Sequence, residues 1–359
     1  MNLYLFFIYI LLIILNLSCF VKGKRANVVL YLTILFLIII MGGNTNCADY
    51  GDYEGWYSTQ KYPLIMEPGY MVVANFFSSL GFSFVQFRLF YYSFFLAVVF
   101  FALSRILSNY HLILFFYLFF SFIIDTIQIR NTMAIAFLLL AITYLAEGKK
   151  LIFVILIVVS VMFHYSFAIY SSLLFYKKFI RVMGKHPIMV FSISIFLCAA
   201  ALVGSSFSVI INAVSVLWGD TKVQYFSARA LNLIFLLLPL STYVITKMSR
   251  NVVISSNTTK FHQNYANIVF SLSILFIMLM PILVFSYEFS RMIKNISIEV
   301  VTLVSLVFIL RRGTVLTIPG ILWYRYKLLL FIFLLLWMII GQYWEGYSEL
   351  FNNNILFED

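Results

Sequence analysis

Long charge-free apolar runs follow one another along almost the whole chain, and charged residues are confined to short stretches between them. In the first half these runs are Met1–Val21, Ala26–Ala48, Pro68–Phe87, Leu89–Ser104, Ile106–Ile124 and Asn131–Ala146. The series continues with Leu151–Tyr176, His186–Gly219, Ala230–Thr246, Phe261–Tyr287, Val300–Leu310 and Leu328–Trp344. A helix needs about 20 apolar residues to cross hydrocarbon at a rise of about 1.5 Å per residue. The pattern therefore predicts an all-α, polytopic integral membrane protein of about 12 hydrophobic helical segments, a few of them loop plus helix. Residues 1–359 read as a single polytopic membrane domain, with no internal repeat or low-complexity linker. The first run lacks a basic n-region and a small-residue cleavage site, so it is expected to stay as an anchor.

Two places break the simple spanning rhythm. Leu151–Tyr176 is flanked by Lys149–Lys150 and Lys177–Lys178, and one crossing would put those pairs on opposite sides. A broken or re-entrant hairpin turning near His164 keeps them together. Ile106–Ile124 and Asn131–Ala146 form a similar short pair, with its turn at Gln128–Arg130. Non-helical backbone at membrane depth is tolerated where protein buries it or where it lines a cavity.

Composition narrows the class further. Of 359 residues 64% are apolar and 10% charged, and mean hydropathy is +1.02; soluble domains have about 45–50% and about 25%. Soluble and disordered classes are thereby excluded. With 15 Gly and 3 Cys, collagen-like and disulfide-framework scaffolds go too. The formal charge of +11 indicates no nucleic-acid partner, because no stretch can form the basic face of a soluble domain. Basic residues beside spans mark the cytoplasmic side instead. One topology gathers 17 of the 24 basic residues, with Glu147, on the inside. It leaves both termini outside, with external loops at about 43–82, 208–229 and 288–295. The first is the longest and is rich in Asp, Tyr and Trp, with Pro63 and Pro68 breaking any long helix.

Few residues can carry chemistry. A charge at membrane depth costs about 2.5–3.5 kcal/mol on insertion scales, so Arg130 should have a partner or a purpose. Asp125, five residues back, is a poor intrahelical partner at about 100° per residue. At the N-terminus of a helix starting at Asn131, Arg130 would make an anion site suited to phosphate; the alternative is an arginine snorkelling to water. His164 can act as a base near neutral pH, or be a packed histidine bonded to backbone or to Ser166. Arg291 and Arg229 lie on the acid-bearing external face and are candidate ligands for an anion. Asp49, Asp52, Glu54 and Glu67 are candidate acid/base groups or contacts for sugar hydroxyls, or simply solvated. No metal or cofactor is expected, since Asp49-x-x-Asp52 is not the Asp-x-Asp of nucleotide-sugar enzymes. Phosphate-binding loops, His-Glu-x-x-His and Gly-x-Ser-x-Gly are missing from the sequence.

The order of these features resembles the EpsG-type, Wzy-like polysaccharide polymerases. The resemblance rests on ADYGDYEGWY, the Glu67-Pro68-Gly69-Tyr70 step, QIRNTMAIA, the basic turn EGKK, FHYSFAI and the late Arg291 in EFSRMIKN. It covers roughly residues 28–300, with only hydropathy matching beyond, and Asn131 stands where a Gln is expected. The resemblance implies an enzyme of the bacterial cytoplasmic membrane, with its active site facing outside. It would join oligosaccharide repeat units carried on undecaprenyl pyrophosphate by metal-independent glycosyl transfer. Arg130, His164 and Arg291 are then the catalytic candidates, and Asp49, Asp52, Tyr53, Glu67, Gln128 and Arg229 the substrate contacts. Expected partners are the lipid-linked oligosaccharide, the bilayer, a chain-length regulator and a flippase. The alternatives are an O-antigen ligase or polyprenyl-phosphate-sugar glycosyltransferase, and a lipid-linked oligosaccharide flippase. Transporters usually carry repeat symmetry, which this chain lacks.

Overall fold

The computed structural model describes residues 2–45, 47, 49–64, 66–202, 233–256, 258–283, 294–312, 326, 327, 330 and 354. Among the described residues there is no β-strand, and helices with their connections make up these residues. Among the described residues four helices are long and apolar enough to cross a membrane: α1 (Leu3–Lys22), α5 (Phe84–Ile106), α8 (Ile129–Ala146) and α13 (Lys260–Leu283). Two more, α2 (Asn27–Gly43) and α9 (Lys150–Phe163), are apolar but shorter. A third element, Tyr165–Lys185 with Met189–Phe196, is bent by 96°. The chain forms two compact units, Met1–Ser171 with Gly341–Asp359, and Ser172–Ile340.

In the first unit α8 is the axis. It packs along α9 on one side and α5 on another, and α5 in turn packs on α2. In its most apolar window α8 is 78% buried, against 33% for α1, so α1 lies at the rim. Its Leu3, Tyr4 and Phe7 face outward, where hydrocarbon rather than protein must cover them. Close approach of α2 and α5 needs Gly42: a Cβ there would lie 2.9 Å from the Leu89 Cα. A polar cluster ties α1, α2 and α6 (His111–Phe116) together. The Asn16 amide donates to Thr33 Oγ1 at 2.9 Å, and His111 Nδ1 lies 2.8 Å from Asn16 Oδ1. Because the Ala26 amide donates to His111 Nε2 at 3.2 Å, that nitrogen must be the acceptor. The imidazole is therefore neutral, with its proton on Nδ1.

Two hydrophobic runs are divided differently from the sequence expectation. The run 68–87 is not one segment. It forms α4 (Pro68–Ser79), a turn with Gly81 at φ 81°, and then the start of α5. A capping box of Ser83 and Gln86 begins α5, and Arg88 sits inside this helix rather than between two spans. Its charge is tolerated because protein solvates it. Nη2 donates to the Met41 carbonyl at 2.7 Å, Nη1 donates to the Asn44 carbonyl, and the guanidinium lies over the Tyr50, Phe84 and Tyr92 rings. These carbonyls belong to the C-terminal end of α2, which lacks intrahelical partners and carries the negative end of the dipole. The Asn354 amide joins them, donating to the Ile39 carbonyl at 3.0 Å.

Helical geometry is interrupted at Gln128 and at His164, inside the two stretches where a hairpin turn is expected. After α6 comes one π-helical turn, Tyr117–Ser121, then α7 (Phe122–Ile127). Gln128 leaves helical geometry at φ −95°, ψ 63°, and α8 follows. His164 is extended at φ −157°, ψ 113°, ending α9; the 3₁₀ helix Tyr165–Phe175 follows.

In the second unit α10 (Tyr176–Lys185) and α11 (Pro187–Leu202) pack on α13, which also meets α12 (Leu233–Ser255) and α14 (Ser297–Arg312). Its core includes Met183, Val190, Tyr243, Phe270, Ile274 and Ile277. Hydroxyls link the helices, as Thr246 Oγ1 does in donating to Ser273 Oγ at 2.8 Å. Glu299 is fully buried at the start of α14, and neither carboxyl oxygen has a hydrogen-bond partner.

Candidate functional site

The two ends of the first unit differ in chemistry. At one end Arg105, closing α5, pairs with Glu147, which follows α8. Lys149 Nζ lies 2.9 Å from the same carboxylate, and the Asn109 amide donates to the Lys24 carbonyl at 3.4 Å. These are residues that the charge pattern assigns to one side. The other end carries the start of α8, the end of α9 and the segment 47–70.

That segment, expected as a loop, is largely helical. The helix α3 (Tyr50–Thr59) buries Tyr50, Tyr53 and Tyr57 on one face, while Asp52 and Glu54 are exposed. Spacing of the tyrosines by three and four residues supplies the buried stripe. Tyr57 hydroxyl donates to the Phe82 carbonyl at 2.8 Å and Tyr50 hydroxyl to Glu54 Oε1 at 3.2 Å. Pro68 takes the first position of α4, with Glu67 as N-cap, where a missing N–H costs nothing. Cys47 is buried, its thiol 3.9 Å from the Thr126 carbonyl.

Arg130 is the centre. It sits in the first turn of α8 and is held from two directions. Nε donates to the Tyr53 hydroxyl at 2.6 Å, Nη1 bonds Glu67 Oε2, and the guanidinium lies 5.6 Å from the Tyr53 ring centre. The Glu67 side chain is 7% exposed and that of Arg130 27%, so the carboxylate is the inner member of the pair. The partners of Arg130 come from α3 and the N-cap of α4; Asp125 lies on α7, across the break at Gln128. Burial pushes the Tyr53 phenol up to about 12, against the lowering influence of Arg130. It therefore stays protonated at neutral pH and accepts from Nε through its oxygen lone pair.

His164 is tied to the same corner. A Cβ on Gly69 would lie 2.8 Å from the Met162 carbonyl oxygen, so the first turn of α4 rests on the last turn of α9. Tyr165 hydroxyl donates to the Met66 carbonyl at 3.5 Å. The residues on both sides of Glu67 thus touch the residues on both sides of His164. The imidazole is half-buried, with Nδ1 2.9 Å from Ser166 Oγ, the contact that the packed-histidine alternative anticipates. Ser160 Oγ donates to the Ala134 carbonyl at 2.7 Å and Phe163 stacks on Phe137 at 5.8 Å, which fixes α9 against α8.

Of the substrate candidates, Tyr53 and Glu67 contact Arg130 directly. Gln128 forms the break before it and accepts from the Asn131 amide at 3.2 Å. Asp49 precedes α3 and acts electrostatically on Tyr53; Asp52 lies on the exposed face of α3. Arg229 and Arg291 lie outside the described residues. Two groups escaped the sequence reading: the hydroxyls of Tyr70 and Tyr91 are buried without hydrogen-bond partners. The Tyr70 ring stands 5.3 Å from that of Tyr53. Among the described residues no three His, Cys, Asp or Glu side chains gather as metal ligands.

A family model described as the EpsG family matches residues 27–353. The chain belongs to the EpsG family. The match runs through the last part of the chain, where hydropathy alone had supported the likeness. No curated protein and no solved structure matches the chain. Family membership and the apolar helices together make it a membrane protein of the EpsG family. The functional class that goes with the EpsG family is polysaccharide polymerisation of a glycosyltransferase type.

Proposed function

We propose that this EpsG-family protein polymerises undecaprenyl-pyrophosphate-linked oligosaccharide repeat units at the outer leaflet of the bacterial cytoplasmic membrane. About 12 hydrophobic segments, including re-entrant hairpins at His164 and Gln128, would hold both termini and the site outside. The reading is carried by one observation: a partly exposed arginine at a helix N-terminus is bound to a buried carboxylate and a phenol. The segment around that carboxylate, Met66 to Gly69, also meets Met162 and Tyr165, one on each side of the histidine in sequence.

Glycosyl transfer from a lipid pyrophosphate develops negative charge on the leaving oxygen. A fixed guanidinium in a low-dielectric corner is suited to stabilise it, and two phosphate oxygens match its fork. Arg291 would supply a second cation. His164 acts as base or orienting group toward the acceptor hydroxyl. Asp49, Asp52, Tyr53, Gln128 and Arg229 would contact the sugars, and holding two lipid-tethered reactants together supplies the rest as proximity. The step needs neither metal nor nucleotide in this reading, and a chain-length regulator and a flippase would work beside it. Deleting the gene is the test. Surface glycan of single repeat units supports polymerisation; complete loss of surface glycan points to a flippase and contradicts it.

A further inference from the structure

The corner holds a carboxylate that a purely anion-binding site does not need. Glu67 lies behind Arg130, almost closed to solvent, and occupies one guanidinium nitrogen while Tyr53 occupies another. With Glu67 bound, the charge that should attract pyrophosphate is already neutralised. A pyrophosphate that takes the fork bidentately must displace the carboxylate from Nη1, while the Tyr53 hydroxyl keeps Nε in place.

We propose that Glu67 is the general base of glycosyl transfer, and that the donor's pyrophosphate releases it for this task by replacing it on Arg130. The proposal rests on the reading of Arg130 as the pyrophosphate ligand. While it holds Arg130, the inner carboxylate has an oxygen occupied by the guanidinium; once displaced, that oxygen is free to accept a hydroxyl proton. Two other titratable groups share this environment: Tyr53, whose phenol is held protonated, and Asp49, which adds negative charge. Donor binding thus switches the base on only when a leaving group is present, which guards against proton abstraction in an empty site.

The step balances. The acceptor hydroxyl gives its proton to the Glu67 carboxylate as its oxygen bonds to the donor's anomeric carbon. The bond from that carbon to the pyrophosphate oxygen breaks, and its electron pair leaves with undecaprenyl pyrophosphate. When the lipid departs, Glu67 gives the proton to water and returns to Arg130. His164 then serves as the orienting group, its position set by the Met66 and Gly69 contacts.

The test uses full-length protein in nanodiscs, with undecaprenyl pyrophosphate as the binding probe and polymer formed from lipid-linked repeat units as the second readout. Glu67→Gln should bind the probe several-fold more tightly, because the competing carboxylate is gone, yet make polymer about 100-fold or more slowly. Weaker binding, or polymer formation close to wild type, overturns the proposal. Should Glu67→Gln fail to insert, Glu67→Asp keeps the question open to measurement. It should lower turnover with the probe still bound, and turnover at the wild-type rate overturns the base assignment. Arg130→Ala separates the two claims: unchanged probe binding there refutes the anion site itself, whatever Glu67 does.

Discussion

Arg88 and Arg130 stand near the same end of the first unit and do different work. Every direction around Arg88 is filled by its own protein: two backbone carbonyls from the end of α2 and three aromatic rings, at 2% exposure. Its partners are fixed dipoles that cannot leave, so the contact closes a helix end and is structural. Arg130 is instead held by side chains, one of them a carboxylate that another anion can replace, and a quarter of it meets the outside. The difference shows what marks a ligand arginine in an apolar chain: replaceable partners and an open edge, rather than charge in a membrane as such.

Removing Arg88 should break the protein, whereas changes around Arg130 should break only the chemistry. Arg88→Met takes the guanidinium donor from the Met41 carbonyl, at about 1–3 kcal/mol, a large share of the stability of an ordinary domain, and removes a buried cation that three aromatic rings surround. Size-exclusion of solubilised membranes should show folded protein nearly lost. His164→Asn should retain the folded protein and lower polymer about 100-fold through loss of orientation; equal loss of protein and polymer would assign the histidine to packing. Gly69→Ala drives a Cβ against the Met162 carbonyl, an overpacking cost of about 1–3 kcal/mol that displaces Glu67. Gly55→Ala, with open space around it, is its control, and polymer should fall only in the first. Tyr53→Phe removes one hydrogen bond from Nε, worth about 0.5–1.5 kcal/mol. Polymer length and yield should fall several-fold, the smallest effect of the series.

Local signals made much of this visible in the sequence. Runs of apolar residues mark helices because burial of the backbone in lipid demands internal hydrogen bonds. The breaks at Gln128 and His164 showed through flanking charge and segment length. Arg130 stood out because nothing on its own helix could pair with it. What stayed hidden is long-range. Nothing local told that Glu67 and Tyr53 meet Arg130, and α3 was read as loop because its tyrosine stripe lies among polar residues. Arg88 was read as a divider between runs because a hydropathy pattern has no term for solvation by carbonyls of another helix. Its one clue was the Ser83-x-x-Gln86 cap beginning the helix just ahead of it. Glu299 was passed over in the same way, as an acid at the edge of an apolar run.

The account stands or falls on the guanidinium of Arg130. The decisive measurement is the length distribution of surface glycan in cells whose only copy of the gene carries Arg130→Ala, with the variant present in the membrane at the wild-type level. Single repeat units are the expected result; long chains from that variant would contradict the site.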